Sequence, residues 1–200
     1  MSTACGAPTP IASTDPGAAS SVSPGPAGSV ASSPPSLGLA ASIPPTGVAP
    51  DPTLLDLVPA ADADATLTYD PATTASVAAD PSLARDISYL AIGLARPTSA
   101  GADDPNLAIV NAVRVRNASS AGDTWFRAWR DAYDKAACAQ ANGVSGHAQF
   151  SVGTRTVFVS TCTNGAFTYH VRVGDGAVVL SITSVGPADL GRRIVQKVRG

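Results

Sequence analysis

The pattern of apolar and polar positions divides the chain near residue 50. Up to that point, isolated aliphatic residues are separated by ten of the seventeen prolines, and neither a helical nor a strand period survives. The segment has one charged side chain, Asp15. Because so little apolar surface cannot offset the entropy of ordering, we predict that residues 1–50 are a disordered tether and residues 51–200 a single domain.

The first half of the domain alternates between strand patterns and helix starts. A strand is predicted at 66–69, and Asp70-Pro71 and Asp80-Pro81 each match the capping residue and proline that begin a helix. Alternation over 107–116 predicts a further strand. Between them, the second helix start is followed by a stripe at helical spacing, formed by Leu83, Ile87, Leu90 and Leu94.

The next predicted helix, which Asp123 can cap, carries an aromatic stripe. The residues at helical spacing are Trp125, Phe126, Trp129, Tyr133 and Ala136. We expect this stripe to lie on a sheet rather than to stack against a ligand. On its other side we expect solvent-facing i,i+4 pairs, namely Arg127–Asp131, Arg130–Asp134 and Asp131–Lys135.

A four-stranded antiparallel meander is predicted from residue 147. Gly153-Thr154 gives a two-residue hairpin loop, and Asp175-Gly176 closes the last hairpin. Between them, a three-residue loop with Gly165 in the left-handed conformation keeps all apolar residues on one face, whereas a two-residue loop mixes the faces. A final helix from Pro187 has three residues turned inward, Leu190, Ile194 and Val198.

These elements predict an α+β fold, in which an antiparallel sheet ends in the meander and the helices pack on one face. The other face is polar. Its possible binding face comprises His147, Gln149, Thr168, His170, Arg172 and Ser181, with Ser160 and Thr183 beside them. The commoner alternative is an outer sheet face in contact with solvent.

The polar face contains one pairing with catalytic potential. His170 is opposite Ser181, as a general base and a nucleophile would be, but no carboxylate is in register to orient the imidazole. A plain hydrogen bond is therefore the favoured interpretation. His147 and His170 lie on strands separated by another, so no metal site is predicted. The sequence has no phosphate loop, nucleophile elbow or zinc helix, and we predict no cofactor.

The charge and hydropathy of the chain limit the classes of partner that it can bind. Charged residues make up 14% of the chain, every acidic residue is Asp, and the net charge is -2. This balance predicts no nucleic-acid partner. No apolar run reaches the roughly 18 residues that cross a bilayer.

The first six residues contain a motif that indicates where in the cell the protein is located. Thr3-Ala4-Cys5-Gly6 resembles the end of a bacterial lipoprotein signal, in which small residues precede a cysteine that is acylated and becomes the mature N-terminus. The resemblance implies a lipid on Cys5, an anchor in the cell membrane and an extracytoplasmic domain. The basic and apolar parts of such a signal are missing, which further implies a start upstream of Met1 or a shortened chain.

Two cysteines remain in the domain. Cys138 ends the aromatic helix and Cys162 ends the second strand of the meander. We favour a disulfide, which suits an exported domain and would stabilise it by about 3.5 kcal/mol in the chain-entropy model. Two buried thiols are the alternative, because Cys162 falls on the polar face whereas the helix is expected on the apolar one.

The order of elements from Trp129 to the last helix, with Cys138, Cys162 and a Val-rich strand at 178–182, carries a second resemblance. It resembles the extracellular sensor-type domains of mycobacterial Ser/Thr kinases and related lipoproteins, with one possible disulfide in place of two. The resemblance implies an extracellular sensing or binding module.

Three functions follow from these observations. The first is a non-enzymatic, membrane-tethered binding or sensing domain for an unknown small ligand. The second is an envelope scaffold lipoprotein that docks a protein partner through Trp125 and Trp129. The third and most remote is an exported hydrolase that uses Ser181 and His170. A pocket between helices and sheet favours the first, and an exposed aromatic patch favours the second.

Overall fold

A computed structural model describes residues 47–101 and 103–199. Its strands are β1 (Ala49–Pro50), β2 (Ala65–Tyr69), β3 (Ile87–Pro97), β4 (Leu107–Val115), β5 (Val144–Val152), β6 (Arg155–Cys162), β7 (Phe167–Val173) and β8 (Val178–Val185). Its α-helices are α1 (Pro71–Ala78), α2 (Asp123–Ala137) and α3 (Leu190–Val195). The predicted tether and Cys5 lie outside the described residues. Sheet pairing begins at Ala49, two residues before the predicted start of the domain.

The strands form one sheet in the order β1-β3-β4-β8-β7-β6-β5, with β2 also paired to β3. β1 pairs with β3 in parallel, and the other pairs are antiparallel. The predicted α+β class and the four-stranded meander are therefore confirmed. β8, the last strand, lies between β7 and β4, so it joins the two halves of the domain.

The predicted registers of the meander are also confirmed. Val159 is opposite Tyr169, and Tyr169 is opposite Ile182, as a one-sided apolar pattern requires. Gly165 has a φ of 87°, the left-handed conformation expected of the three-residue loop. The last helix, α3, begins at Leu190 rather than at the predicted Pro187 and ends at Val195. Leu190 and Ile194 of α3 are buried in the core as predicted, and so is Val198, which lies beyond the end of the helix.

The helix predicted from the stripe at 83–94 is wrong, because residues 87–97 form β3. Asp80-Pro81 starts a turn, in which the Asp80 carboxylate accepts a hydrogen bond from the Ser82 N–H. β3 is paired on both edges and largely buried on both faces, so its sequence is almost continuously apolar. Such a run satisfies helical spacing by coincidence, and periodicity alone cannot distinguish the two structures.

The helices occupy both faces of the sheet, whereas the sequence predicted one. α3 packs with Tyr169 and Ile182 in a first core on the apolar face. α2 lies on the opposite face, where Phe126 packs with Val179 in a second core. It begins with Asp123 itself, so Gly122 is the residue before the helix. The polar face of the meander is therefore covered where α2 crosses it.

Candidate functional site

α2 lies over a network of buried polar side chains. Ser160, Thr168, His170 and Ser181 come from three neighbouring strands of the meander, and all four are buried. The interpretation of this face as an outer surface in contact with solvent is wrong at these positions. Along each strand, these polar side chains alternate with apolar ones that point to the opposite face of the sheet. On the polar face, α2 supplies their hydrogen-bond partners.

Asp134 is the centre of this network, although the sequence placed it on the solvent side of α2. Its carboxylate accepts hydrogen bonds from Ser160 Oγ at 2.5 Å, from His170 Nε2 at 2.8 Å and from Thr168 Oγ1. Burial by itself would raise the pKa of this carboxyl, but the interaction with His170 and the two hydroxyl donors together outweigh it and lower the pKa below its ordinary value. Asp134 is therefore held as a carboxylate inside the fold.

A chain of hydrogen bonds continues from His170 to the aromatic stripe. His170 Nδ1 lies 2.9 Å from Ser181 Oγ, and Trp129 Nε1 donates to the same oxygen at 3.0 Å. With the imidazole proton on Nε2, facing Asp134, the Ser181 hydroxyl donates to Nδ1 and every donor has an acceptor. Trp129 thus has a polar partner as well as an apolar one, as a buried indole usually does.

Tyr133 anchors the next turn of α2. Its hydroxyl accepts a hydrogen bond from Asn111 Nδ2 at 2.8 Å and lies 3.0 Å from Thr183 Oγ1. Its ring packs edge-on against the His170 imidazole. Burial raises the pKa of Tyr133 to about 12. The phenol is therefore a neutral structural group at physiological pH.

Ser181, His170 and Asp134 are connected in the order of a nucleophile, a base and an orienting carboxylate. The sequence missed the carboxylate because it comes from a helix and not from the sheet. The surroundings do not suit acyl transfer: the three residues are 0%, 1% and 3% exposed. β8 is also paired with β4 and β7 on both sides of Ser181, which occupies the backbone N–H groups an oxyanion would need.

An open groove adjoins this network, and we call it the α2 groove. It consists of two adjoining recesses with volumes of about 490 and 410 Å³, which share Arg127, Arg130 and Phe158. The lining of the first recess also includes Asp131, Asp134, His147, Gln149, Ser160 and His170. The lining of the second also includes Asp123, Phe126, Arg155, Thr156 and Arg172.

The predicted binding face is divided between these two environments. His147 and Gln149 are exposed in the first recess, and Arg172 lines the second. Thr168 and Ser181 lie beneath α2, outside both recesses, while His170 belongs to the network and also borders the first recess.

Sequence reasoning missed the groove itself because it assigned Arg130 and Asp134 to solvent. One feature of the sequence could have indicated their position. Arg130 and Asp134 lie between Phe126 and Cys138 at intervals of four residues, so all four side chains fall on the same side of α2. A disulfide at Cys138 turns this whole row toward the sheet.

The predicted disulfide is confirmed. Cys138 and Cys162 are bonded with their Cα atoms 5.2 Å apart, and they form a small third core with Ala141 and Ala166. Because Cys162 is on the polar face, the bond requires the end of α2 to lie on that face. The mismatch between the expected helix position and Cys162 is thereby resolved in favour of the disulfide.

No known protein family, no characterised protein and no solved structure matches this chain. Within residues 47–101 and 103–199, no helix is long and apolar enough to cross a membrane. The same described ranges contain no group of three or more His, Cys, Asp or Glu residues arranged to hold a metal ion.

Proposed function

We propose that the chain is a non-enzymatic binding or sensing module on the outer side of a bacterial membrane. A lipid on Cys5 would anchor it, residues 1–50 would serve as its tether, and its ligand would occupy the α2 groove. The observation that carries the binding function is the groove itself, because it is a recess between helix and sheet with charged side chains at its wall.

The disulfide supports the extracytoplasmic part of the proposal. Disulfides form and persist in oxidising compartments and are rare in the cytosol. The bond between Cys138 and Cys162 also accounts for the odd number of cysteines, since Cys5 is then left for the lipid.

A ligand-binding groove is favoured over docking through the aromatic helix. The docking alternative requires an exposed aromatic patch, but Trp125 and Trp129 are both partly buried against the second core. Their rings stack on one another with centroids 5.7 Å apart, and Trp129 donates to Ser181. Their polar and apolar surfaces are therefore largely used within the domain.

The anchor is tested by fractionation of cells that express the gene with its upstream region. We expect the protein in the membrane fraction, with an intact mass that includes acyl chains, and Cys5→Ala in the released fraction. Ser2→Ala is the matched control and should stay with the membrane. A mass without acyl chains, or a Cys5→Ala variant that fractionates as the wild type does, would contradict the anchor.

The binding function is tested by NMR with the oxidised full chain and a small-compound mixture of varied charge. We expect saturable shifts of backbone amides around the α2 groove. Gln149→Trp, which fills the first recess from the exposed side of β5, and Thr156→Trp, which fills the second from β6, test the two recesses; at least one of them should weaken the shifts, whereas Thr98→Trp on a distant loop should not. Saturable binding that is insensitive to both Gln149→Trp and Thr156→Trp, or no binding at the groove, would refute this site.

A further inference from the structure

The α2 groove is lined by more arginines than aspartates, although the net charge of the chain is -2. Four arginines and one aspartate line its second recess. Arg172 is paired with Asp123 at 3.2 Å, and Arg155 donates to the carbonyl of Val198. The remaining two, Arg127 and Arg130, have no hydrogen-bonded or ion-paired partner among the described residues.

The acidic residues near these two arginines do not cancel this surplus. Asp134 borders the first recess, but its carboxylate is already engaged by three donors inside the network. Asp131 lines the same recess and makes no ion pair within the described part of the chain. The groove therefore has fewer carboxylates than guanidinium groups, and one of the carboxylates, that of Asp134, points into the network.

Aromatic rings hold two of the guanidinium groups in position. The Arg130 Cζ lies 3.7 Å from the centre of the Phe158 ring, and the Arg172 Cζ lies 4.3 Å from that of Phe126. The two rings contact each other edge to face, with centroids 5.7 Å apart. Stacking of this kind fixes a planar guanidinium before a ligand arrives, which reduces the ordering entropy that binding costs.

These guanidinium groups also have unused hydrogen-bonding capacity. The Nε atoms of Arg130 and Arg172 are buried without an acceptor in the described structure. Burial lowers the pKa of Arg130; the negative charges of Asp131 and Asp134 oppose this shift, and the positive charges of Arg127 and Arg172 add smaller contributions to it. An anion in the recess would accept hydrogen bonds from the terminal Nη groups of Arg130 and Arg172, which are not enclosed as the Nε atoms are, and would offset the repulsion between the cations.

We propose that the α2 groove binds the oxyanion of its ligand, a carboxylate or a phosphate, between Arg127, Arg130 and Arg172. The proposal deepens the binding function given above and rests on it. Arg127 is exposed at the mouth, and the two stacked guanidinium groups form the wall beneath it. The recess of about 410 Å³ has room for a small organic acid or a phosphorylated metabolite.

The test is an NMR titration of the oxidised full chain with sodium phosphate, with citrate, and with sodium chloride at matched ionic strength. We expect phosphate or citrate to cause saturable shifts at the groove and chloride to cause none; the better of the two identifies the preferred oxyanion. Arg130→Gln should weaken binding by about tenfold or more, as loss of a charge-assisted hydrogen bond does. Arg127→Gln provides a second variant at an exposed position where the fold is not at risk.

Arg193→Gln is the matched control, because it removes the same charge from an ion pair with Asp64 away from the groove. It should leave the affinity within about twofold of the wild type. Equal weakening by Arg193→Gln and Arg130→Gln, or no saturable shift with either oxyanion, would overturn the proposal. If a neutral or cationic compound of the mixed set binds the groove while both oxyanions fail, the oxyanion assignment is wrong and the binding function stands; if nothing binds there, both are wrong.

Discussion

Asp134→Ala removes the carboxylate that accepts hydrogen bonds from Ser160, Thr168 and His170 beneath α2. Each buried donor left without an acceptor costs about 1–3 kcal/mol, and Asp134→Ala leaves three such donors. Because hydroxyl rotation relieves part of the loss, we expect a decrease of about 3–5 kcal/mol in the free energy of unfolding. Stabilities of small domains are about 5–15 kcal/mol, so this change removes a large fraction of the total.

Asp134→Asn separates the loss of the carboxylate from the loss of volume. The amide oxygen still accepts hydrogen bonds but the amide nitrogen does not, so we expect a smaller loss of about 1–3 kcal/mol. The pH dependence should change as well. Since the folded-state pKa of Asp134 is lowered, its carboxylate contributes stability that is fully present above the unfolded value near about pH 4 and is lost as the pH falls through the folded-state pKa. The Asn variant should lack this acid-dependent loss.

Urea unfolding followed by tryptophan fluorescence measures these effects, under non-reducing conditions and at several pH values between about 7 and 3. Trp129 reports on the network directly, through its hydrogen bond to Ser181. The matched control is Asp131→Asn, an exposed carboxylate on the same helix, which should change stability by no more than about 0.5 kcal/mol. The reasoning fails if Asp134→Asn is no more destabilising than Asp131→Asn, or if Asp134→Ala costs less than about 1 kcal/mol.

Two further predictions concern stability away from this network. Reduction of the disulfide should lower the free energy of unfolding by about 3.5 kcal/mol, measured by urea titration with and without a reductant; equal midpoints would contradict it. Gly191→Ala should destabilise by about 1–3 kcal/mol in thermal melts, because a Cβ there would lie 2.7 Å from Ser184 Cβ and 2.9 Å from the Tyr169 ring. Gly146→Ala is the control, because a Cβ added at Gly146 has no neighbouring atom within 4 Å. Similar melting temperatures of the two variants would contradict the close packing of Gly191 against Ser184 and Tyr169.

The disulfide and the polar network have a shared consequence for the groove. Cys138 fixes the end of α2 to β6, and Asp134 fixes the preceding turn to β6 and β7. The next turn toward the N-terminus carries Arg130, whose guanidinium lies over Phe158 of β6. The wall of the groove is thus supported by two attachments, and a ligand would meet a helix that is already positioned.

Local pattern was sufficient for the meander formed by β5 to β8. Alternation with period two, together with the turn residues, predicted the meander and its registers, because each hairpin pairs residues that are close in sequence. The same reasoning failed at β3, whose apolar run is explained by pairing with strands on both edges and burial on both faces. Nothing within residues 83–94 records those neighbours, so helix and strand patterns could not be told apart.

The sequence by itself determined the apolar face of the meander and the inward side of Leu190 and Ile194 in α3, and it favoured the disulfide without deciding it. Only the tertiary structure decided that α2 lies on the polar face, and hence that Asp134 meets His170, which is 36 residues away. The physical reason is that the spacing of polar and apolar residues indicates whether a side chain has polar or apolar surroundings. It does not indicate which helix or strand forms those surroundings. A polar helix row and a polar sheet face look like two solvated surfaces until they are packed together, and then each satisfies the other's hydrogen bonds.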